Sequence, residues 1–217
     1  SRMHSDLPKV LVPLLSKPLI VHLLEKIAAS NYENAKIYLI VSPDNKDLIA
    51  KAVKSFNVEF ILQEKQLGTG HAVQALVKYF TENNIEAEKL IVLYGDHPLI
   101  SERGIDRLLS EGDLSVENPI RLLTTQRLCG FNELFWYWGR ILRDSNGKII
   151  EIKEFKDATD DEKAIVEVNP AMMTFNYNWM KANLDLLENK NNSGEYYLTD
   201  LVKIAQDEGK EILSGGI

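Results

Sequence analysis

Cysteine and long apolar runs are what this sequence lacks most clearly. Cys129 is its only cysteine, which excludes a disulfide framework and a thiolate zinc site. The four histidines, His4, His22, His71 and His97, are scattered, and none has helical metal-ligand spacing to another. No apolar run approaches the ~20 residues of a membrane-spanning helix, and no signal peptide is recognisable. We therefore expect a cytoplasmic protein with no membrane partner.

Basic charge is also scarce. The chain carries 25 Lys and Arg residues against 32 Asp and Glu residues, for a net charge of −7 and a pI near 5.2. This acidic balance argues against nucleic acid as a partner, although a local basic pocket for phosphates stays compatible with it. Hydrophobic residues make up 45%, enough to bury a core. For 217 residues, a single domain over residues 1–217 is the better expectation.

Apolar strands alternate with amphipathic helices in the first half of the chain. Strands are predicted at residues 36–42, 58–62 and 90–93, and a helix is predicted to begin at an N-cap formed by Ser16. The segments between the strands carry apolar stripes at helical spacing. This alternation predicts βαβ units, and hence an α/β fold with a Rossmann-like, mostly parallel sheet and helices on both faces.

The second half of the chain changes character. Residues 139–143 and 149–154 read as two strands joined by a turn that contains Asn146-Gly147, which predicts a small antiparallel hairpin element. Helices are predicted near residues 177–187 and 196–205. Glu154 lies in a charged run at the end of the hairpin, and such a run is usually solvated surface.

Asp96 follows the apolar strand at residues 90–93. It belongs to a Gly/Asp/Pro cluster at the carboxyl end of that strand, where open α/β sheets bind their ligands. A carboxylate at this place is either a ligand for a hard cation or an ordinary loop cap. The position alone leaves both interpretations open.

Gly68-Thr69-Gly70 lies between a strand and a helix. Glycines let the backbone approach a ligand closely, and the N–H groups at a helix start favour anionic or carbonyl-bearing groups. The spacing is neither a dinucleotide fingerprint nor a P-loop. A simple turn is the alternative interpretation.

The order of the motifs is more specific than any one of them. In chain order they are Arg2-Met3 with Leu7-Pro8-Lys9, Gln63 with Gln66-Leu67-Gly68-Thr69-Gly70-His71-Ala72, Tyr94-Gly95-Asp96, Gly139-Arg140-Ile141, Glu154-Phe155-Lys156-Asp157-Ala158-Thr159, Glu167-Val168-Asn169 and Gly194-Glu195-Tyr196-Tyr197-Leu198-Thr199-Asp200. With these motifs the chain resembles the sugar-1-phosphate nucleotidyltransferases, and above all the uridyltransferase domain of the bacterial bifunctional N-acetylglucosamine-1-phosphate uridyltransferase/glucosamine-1-phosphate acetyltransferase.

The resemblance implies a fold of the nucleotide-diphospho-sugar transferase type and a reaction. UMP would pass from UTP to N-acetylglucosamine 1-phosphate, giving pyrophosphate and UDP-N-acetylglucosamine, a cell-wall and lipopolysaccharide precursor. Such a transfer needs charge neutralisation and in-line positioning rather than covalent chemistry. Arg2 and Lys9 would bind the triphosphate and stabilise the departing pyrophosphate, and Asp96 would hold Mg²⁺. These three residues are the predicted catalytic groups.

The resemblance also implies two sets of binding residues. The uracil would be read by Gln63 and by the backbone of Gly68 and Thr69. The predicted sugar-binding residues are Tyr94, Gly95, Gly139, Glu154 and Asn169. A carboxylate such as Glu154 accepts hydrogen bonds from sugar hydroxyls, and an amide such as Asn169 serves hydroxyl or acetamido groups.

The sequence departs from the family pattern within the chain and at its ends. Tyr137-Trp138 stands where the family has Gly-Tyr, and Pro170-Ala171 stands where it has a small residue and glycine. Pro170 removes a backbone N–H, and if that N–H normally contacts the sugar in this family, affinity should fall. The family's first strand, its glycine-rich loop, an asparagine metal ligand and the β-helix acetyltransferase domain, through which these proteins form homotrimers, all lie outside this sequence. The 217 residues alone are therefore expected to be weakly active or inactive.

Two alternatives to this function stay open. The departures around Trp138 and Pro170 would suit a nucleotidyltransferase for a different sugar 1-phosphate. A catalytically inactive remnant that keeps the fold for binding or structural purposes is the other alternative.

Overall fold

The computed structural model describes residues 7–30, 35–110, 114–126 and 135–216. Arg2 and Cys129 therefore lie outside the described residues. Contacts divide the chain into two compact units, the first formed by Ser1–Gln66 and Leu93–Ser110 and the second by Leu67–Val92 and Glu111–Ile217. The single domain over residues 1–217 stays a prediction.

Helices and strands alternate along most of the described residues, which confirms the predicted α/β class. The strands are β1 (Pro13–Leu14), β2 (Lys17–Pro18), β3 (Ile37–Val41), β4 (Val58–Leu62), β5 (Lys89–Leu93), β6 (Ile120–Gln126), β7 (Arg140–Arg143), β8 (Ile149–Lys153), β9 (Glu167–Val168), β10 (Met172–Asn176) and β11 (Ile212–Gly216). The α-helices are α1 (Leu19–Ala29), α2 (Pro43–Ala52), α3 (Thr69–Glu82), α4 (Glu102–Leu109), α5 (Asp160–Ala164), α6 (Tyr177–Asn183) and α7 (Asp200–Asp207), and 3-10 turns lie at Lys9–Leu11 and Leu184–Leu186. None of the described helices is both long and apolar enough to span a membrane.

The first unit is built on the parallel pair β3 and β4 and the helices that follow them. The two strands pair in register from Ile37 opposite Val58 to Val41 opposite Leu62. Pro43 opens α2 at a position where its missing N–H costs nothing. A cluster of apolar side chains from α1, β3, α2 and the 3-10 turn forms the core of this unit; it contains Leu11, Ile20, Leu24, Val41, Ile49 and Val53.

Helix α1 begins later than the sequence predicted. Ser16 is not its N-cap, because Ser16 has a φ of +66° in the turn that joins β1 to β2. Pro18 is the N-cap instead. The reason is local, since Lys17 precedes a proline and is therefore disfavoured in the α conformation, and β2 is extended through its antiparallel pairing with β1.

The second unit is organised on a sheet of seven strands in the order β5-β10-β6-β9-β7-β8, with β11 beside β6. The sheet is less parallel than predicted: β11 pairs with β6 in parallel, but β10 with β6, β9 with β6 and β7, and β8 with β7 are antiparallel. The predicted hairpin is confirmed as β7 and β8. Short connections such as the turn after Arg143 allow only antiparallel neighbours, whereas parallel strands need a longer crossover.

Candidate functional site

Asp96 lies in the first unit, in a tight turn that follows β5. The N–H of His97 donates to the carbonyl of Tyr94 at 3.1 Å and closes this turn. Lys9, in the 3-10 turn Lys9–Leu11, forms an ion pair from its Nζ to Oδ2 of Asp96. The Asp96 side chain is 16% exposed and the Lys9 side chain is 61% exposed. The ammonium is therefore open to solvent and can reach a further anion.

The residues next to Asp96 in this turn are closely packed. His97 Nε2 lies 3.9 Å from Asp96 Oδ1, and the rings of Tyr94 and His97 are 5.6 Å apart between centroids. A Cβ at Gly95 would lie 3.1 Å from Val10 Cγ1. Close packing against Val10 thus accounts for glycine at this position without any ligand. The sugar-binding roles of Tyr94 and Gly95 stay predictions.

The donor set around Asp96 fits one kind of metal ion. Among the described residues, no group of three or more His, Cys, Asp or Glu side chains comes together as a metal cluster. A single carboxylate cannot cage a cation, but it suits Mg²⁺, which keeps several waters and takes its other ligands from substrate phosphates. The carboxylate of Asp96 is thus compatible with a magnesium ion that enters with a nucleotide, and magnesium binding by Asp96 stays a prediction.

Gly68 and Thr69 form the turn before α3, in the second unit, whereas Gln63 belongs to the first unit. Gln63 directly follows β4, and its N–H donates to the carbonyl of Val41 at 2.9 Å. Gly68 has a φ of +110°, and a Cβ there would lie 2.6 Å from the carbonyl oxygen of Tyr196. Glycine is therefore required both by the backbone conformation and by the contact with Tyr196.

Residues 191–199, which we call the strap, hold this turn. The N–H of Tyr196 donates to the carbonyl of Leu67 at 2.8 Å, and the carbonyl of Tyr196 accepts from the N–H of Gly70 at 2.8 Å. The N–H of Leu198 donates to the hydroxyl of Thr69 at 3.1 Å. The simple-turn interpretation of Gly68-Thr69-Gly70 thus has a structural basis, and nucleotide binding by Gly68 and Thr69 stays a prediction.

Gly139, Glu154 and Asn169 come together in the second unit, although they are distant in sequence. The carbonyl of Gly139 accepts from the N–H of Asn169 at 2.9 Å. A Cβ at Gly139 would lie 3.0 Å from Ile152 Cγ2, which is tight, and 3.5 Å from Glu154 Oε1, which is ordinary van der Waals contact, so Gly139 lies directly against the carboxylate. The hydroxyl of Thr199, at the end of the strap, donates to Glu154 Oε1 at 2.9 Å.

Glu154 opens into a cavity of about 440 Å³ on the same unit. Carboxylates line this cavity together with Lys153, Lys190 and Tyr197. Burial raises the pKa of Glu154, and the nearby carboxylate of Asp200 adds to the rise. Burial also raises the pKa of Asp200 to about 6 and that of Tyr197 to about 12. The cavity therefore combines carboxylates that can accept hydrogen bonds from hydroxyl groups with two lysines that can bind an anion.

Tyr197, Thr199 and Asp200 were not predicted as site residues. Their motif, Gly194-Glu195-Tyr196-Tyr197-Leu198-Thr199-Asp200, contributed to the family resemblance but carried no assigned role. Tyr197 and Asp200 line the cavity, and the hydroxyl of Thr199 donates to the carboxylate of Glu154. The signal that could have found them was an unusual density of polar residues immediately before an apolar helix.

Trp138, the departure next to Gly139, is held by a buried arginine. Arg140 is 0% exposed, and its guanidinium donates to the carbonyls of Trp138 and, at 2.8 Å, of Trp136. The ring of Trp138 packs 4.4 Å from that of Phe135 between centroids. Main-chain carbonyls thus accept hydrogen bonds from the buried guanidinium, and these bonds fix the turn before Gly139.

Comparison with known proteins identifies the class of the chain as an NTP transferase. Residues 1–135 match the family of MobA-like NTP transferase domains, and the chain belongs to that family. Two solved structures resemble it at 16% identity: a CMP:2-keto-3-deoxy-manno-octonic acid synthetase complexed with CTP, with a TM-score of 0.64 over 98% of this chain and 85% of that one, and a nucleoside-diphosphate-sugar pyrophosphorylase from Vibrio cholerae RC9, with a TM-score of 0.67 over 100% of this chain and 86% of that one. At this identity both likenesses concern the fold.

Proposed function

We propose that this protein transfers UMP from UTP to N-acetylglucosamine 1-phosphate, releasing pyrophosphate and UDP-N-acetylglucosamine. Membership of the NTP transferase family supports nucleotidyl transfer. The observation that carries the sugar assignment is that Gly139, Glu154 and Asn169 lie close together and that Glu154 lines the cavity, because these are the residues that the resemblance assigns to the sugar. The cytoplasm, where nucleoside triphosphates are made, suits such a reaction.

The phosphate chemistry would depend on Lys9 and Asp96. A phosphate oxygen of the sugar phosphate attacks the α-phosphorus of UTP, the bond to the β-phosphate breaks, and pyrophosphate leaves with the electron pair. Lys9, whose side chain is largely exposed, would place a positive charge on the triphosphate, and Arg2 would act with it. Mg²⁺, held by Asp96, would supply further neutralisation of the phosphate charge.

The sugar would be bound by Glu154 and Asn169. The Glu154 carboxylate accepts hydrogen bonds from hydroxyl groups, and its bond from Thr199 fixes the direction in which it does so. Asn169 is 5% exposed, and its Oδ1 accepts from the N–H of Ala171 at 2.9 Å. The amide NH₂ of Asn169 would therefore be the group offered to a hydroxyl or to an acetamido carbonyl.

One observation favours a second candidate, a different sugar 1-phosphate as the acceptor. Pro170 has no N–H, and the N–H of Ala171 is engaged by the Asn169 side chain. The main chain after Asn169 thus offers neither of two amide donors to a sugar. An acceptor that needs a main-chain donor here would bind less well than one that does not.

The experiment that separates these candidates measures pyrophosphate release from UTP and Mg²⁺ by the full-length protein with a panel of sugar 1-phosphates. Selective turnover of N-acetylglucosamine 1-phosphate supports the proposal, and selective turnover of another sugar replaces it with the second candidate. Glu154→Gln should raise the KM for the sugar phosphate by roughly tenfold, the scale of a hydrogen bond to a charged group. Glu82→Gln, an exposed change on α3, is the matched control. No turnover with any sugar would contradict both candidates.

A further inference from the structure

The strap contacts two segments that the proposed function assigns to different substrates. Its residues Tyr196 and Leu198 bond the turn proposed to bind the uracil, through Leu67, Gly70 and Thr69. Its last residue bonds the carboxylate proposed to bind the sugar. All these residues belong to the second unit.

Hydrogen bonds also hold the strap near its first residue, Asn191, so both of its ends are fixed. The N–H of Asn192 donates to Asp157 Oδ1 at 2.8 Å, and Asn192 Nδ2 donates to the carbonyl of Lys156 at 2.8 Å. Inside the strap, Asn191 Nδ2 donates to the carbonyl of Glu195 at 2.6 Å. A change at one anchor is therefore transmitted along the strap instead of being absorbed within it.

The side chain of Thr69 joins the strap to the turn before α3. Its hydroxyl accepts the N–H of Leu198, a residue that is 0% exposed, and Thr199 follows directly in the chain. Without that acceptor, a buried N–H would lack its hydrogen bond, and the backbone would shift to find another partner. The Thr199 hydroxyl, which donates to Glu154, would shift with it.

We infer that Thr69 is a positioning residue for the sugar phosphate: its hydroxyl, by fixing the amide of Leu198, fixes Thr199 against Glu154. This inference rests on the proposed function, which gives the backbone of Thr69 to the uracil and Glu154 to the sugar. The side chain of a residue in the nucleotide turn then serves the other substrate. The two binding sites are linked through the strap, without any residue that touches both ligands.

The test compares two substitutions of Thr69 in the full-length protein. Thr69→Val keeps the shape of the side chain and removes the acceptor, whereas Thr69→Ser keeps the hydroxyl. We expect Thr69→Val to raise the KM for the sugar phosphate about tenfold, clearly more than it raises the KM for UTP, and Thr69→Ser to keep the wild-type value. Thr81→Val is the matched control, because Thr81 lies exposed near the other end of α3 and its hydroxyl bonds only the carbonyl of Val77 among the bonds that the described residues show.

A double-mutant cycle decides whether Thr69 acts through Thr199. In a Thr199→Val protein the bond to Glu154 is already lost, so adding Thr69→Val should change the KM for the sugar phosphate by less than about twofold. Additive effects overturn the inference. It is also overturned if Thr69→Val raises the KM for UTP instead, or changes neither KM. Should Thr69→Val fail to fold, Thr69→Ala removes the same acceptor and is judged by the same criteria.

Amide hydrogen exchange tests the link without any turnover. The Leu198 N–H should exchange at least about tenfold faster in Thr69→Val than in the wild type or in Thr81→Val. If the wild type turns over no sugar phosphate, the proposed function fails and the sugar-phosphate role of Thr69 fails with it; exchange at Leu198 then shows only whether the Thr69 hydroxyl holds that amide. If the wild type is active, faster exchange at Leu198 together with the KM changes supports the role, and unchanged exchange overturns it.

Discussion

Asp96 is the residue on which the proposed phosphate chemistry depends. Its carboxylate is mostly buried, is paired with Lys9 and follows β5 directly. We expect Asp96→Ala to abolish pyrophosphate release while leaving the protein folded, because the lost group would hold the metal and does not belong to the apolar core of this unit. Turnover measured with UTP, Mg²⁺ and the sugar phosphate, together with a thermal unfolding curve, checks both parts.

The control for Asp96 is Asp47→Ala, which removes an exposed carboxylate on α2 of the same unit. This variant should keep wild-type turnover, because an exposed charge at that position has little influence on the phosphate site. Full activity of Asp96→Ala would exclude the metal role. Loss of folding in Asp96→Ala but not in Asp47→Ala would make Asp96 a structural cap, the other interpretation of its position.

Ala171 carries a backbone strain that a glycine would relieve. Its φ is +58°, in the left-handed region that disfavours residues with a Cβ. Ala171→Gly should therefore raise the free energy of unfolding, by about 0.5–1 kcal/mol after the greater entropy of glycine in the unfolded chain is subtracted. Urea denaturation measures the change. Ala50→Gly in the helix α2 is the control and should lower stability by about 1 kcal/mol; equal signs for the two variants would refute the strain.

The sequence indicated where this strain would fall but not that it existed. The family pattern placed glycine where this chain has Ala171, which marks a position of special conformation. Whether the chain keeps that conformation without glycine depends on the surroundings. Here the Asn169 side chain accepts the N–H of Ala171 and so stabilises the turn. That bond is a property of the folded loop, and neither composition nor spacing predicts it.

At the scale of elements, helix α7 begins with the carboxylate of Asp200, which is partly buried. Asp200 is its first residue, where the helix dipole favours an anion, yet burial and the charge of Glu151 raise the pKa of Asp200 to about 6. The folded protein thus keeps a proton on Asp200 that the unfolded chain, with a pKa of 3.8, has lost. The contribution of Asp200 to the free energy of unfolding should therefore fall as the pH rises from 3.8 to about 6, because the folded state binds more protons than the unfolded chain in that range. Above about pH 6 this contribution should be constant.

Asp200→Asn tests this pH dependence. Asparagine keeps the polar group at the start of α7 and removes the charge, so the variant should be more stable than the wild type at about pH 7 and indistinguishable from it near pH 4. Denaturant unfolding at a series of pH values gives the difference. Asp160→Asn, at the exposed start of α5, is the control and should show no such gain. A difference between Asp200→Asn and the wild type that does not vary with pH would refute the prediction.

Element types were predicted better than element boundaries. The strands predicted at residues 36–42 and 58–62 are confirmed as β3 and β4, and the helix predicted near residues 177–187 is confirmed as α6 with the 3-10 turn after it. The helix predicted at residues 196–205 begins only at Asp200. Tyr196 lies outside the helix, and its N–H and carbonyl bond the segment around Gly68. A hydrogen bond to a segment about 130 residues away has no local signature.

At the scale of the whole molecule, strand pairing was the part of the fold that the sequence could not supply. Alternating helices and strands predicted a mostly parallel sheet, but β10 joins β6 in antiparallel and β11 joins the same strand in parallel. Apolar periodicity shows which face of a strand is buried but not which strand lies beside it. The family order of motifs supplied the site residues instead, and it could do so without any knowledge of the pairing.

Stabilisation of the whole molecule by nucleotide separates a protein that binds the triphosphate from a remnant that keeps the fold without binding it. A ligand that binds only the folded state raises stability by mass action, by about 2.7 kcal/mol at 100 times its Kd. We expect UTP with Mg²⁺ to raise the Tm of the full-length protein, and Asp96→Ala to lose the part of the rise that needs Mg²⁺. Gln63→Ala should reduce the preference for UTP over CTP, because Gln63 is predicted to read the uracil. Thermal shifts with both nucleotides, with and without Mg²⁺, measure these effects. If neither nucleotide shifts the Tm of the wild type, the chain keeps the fold without the function.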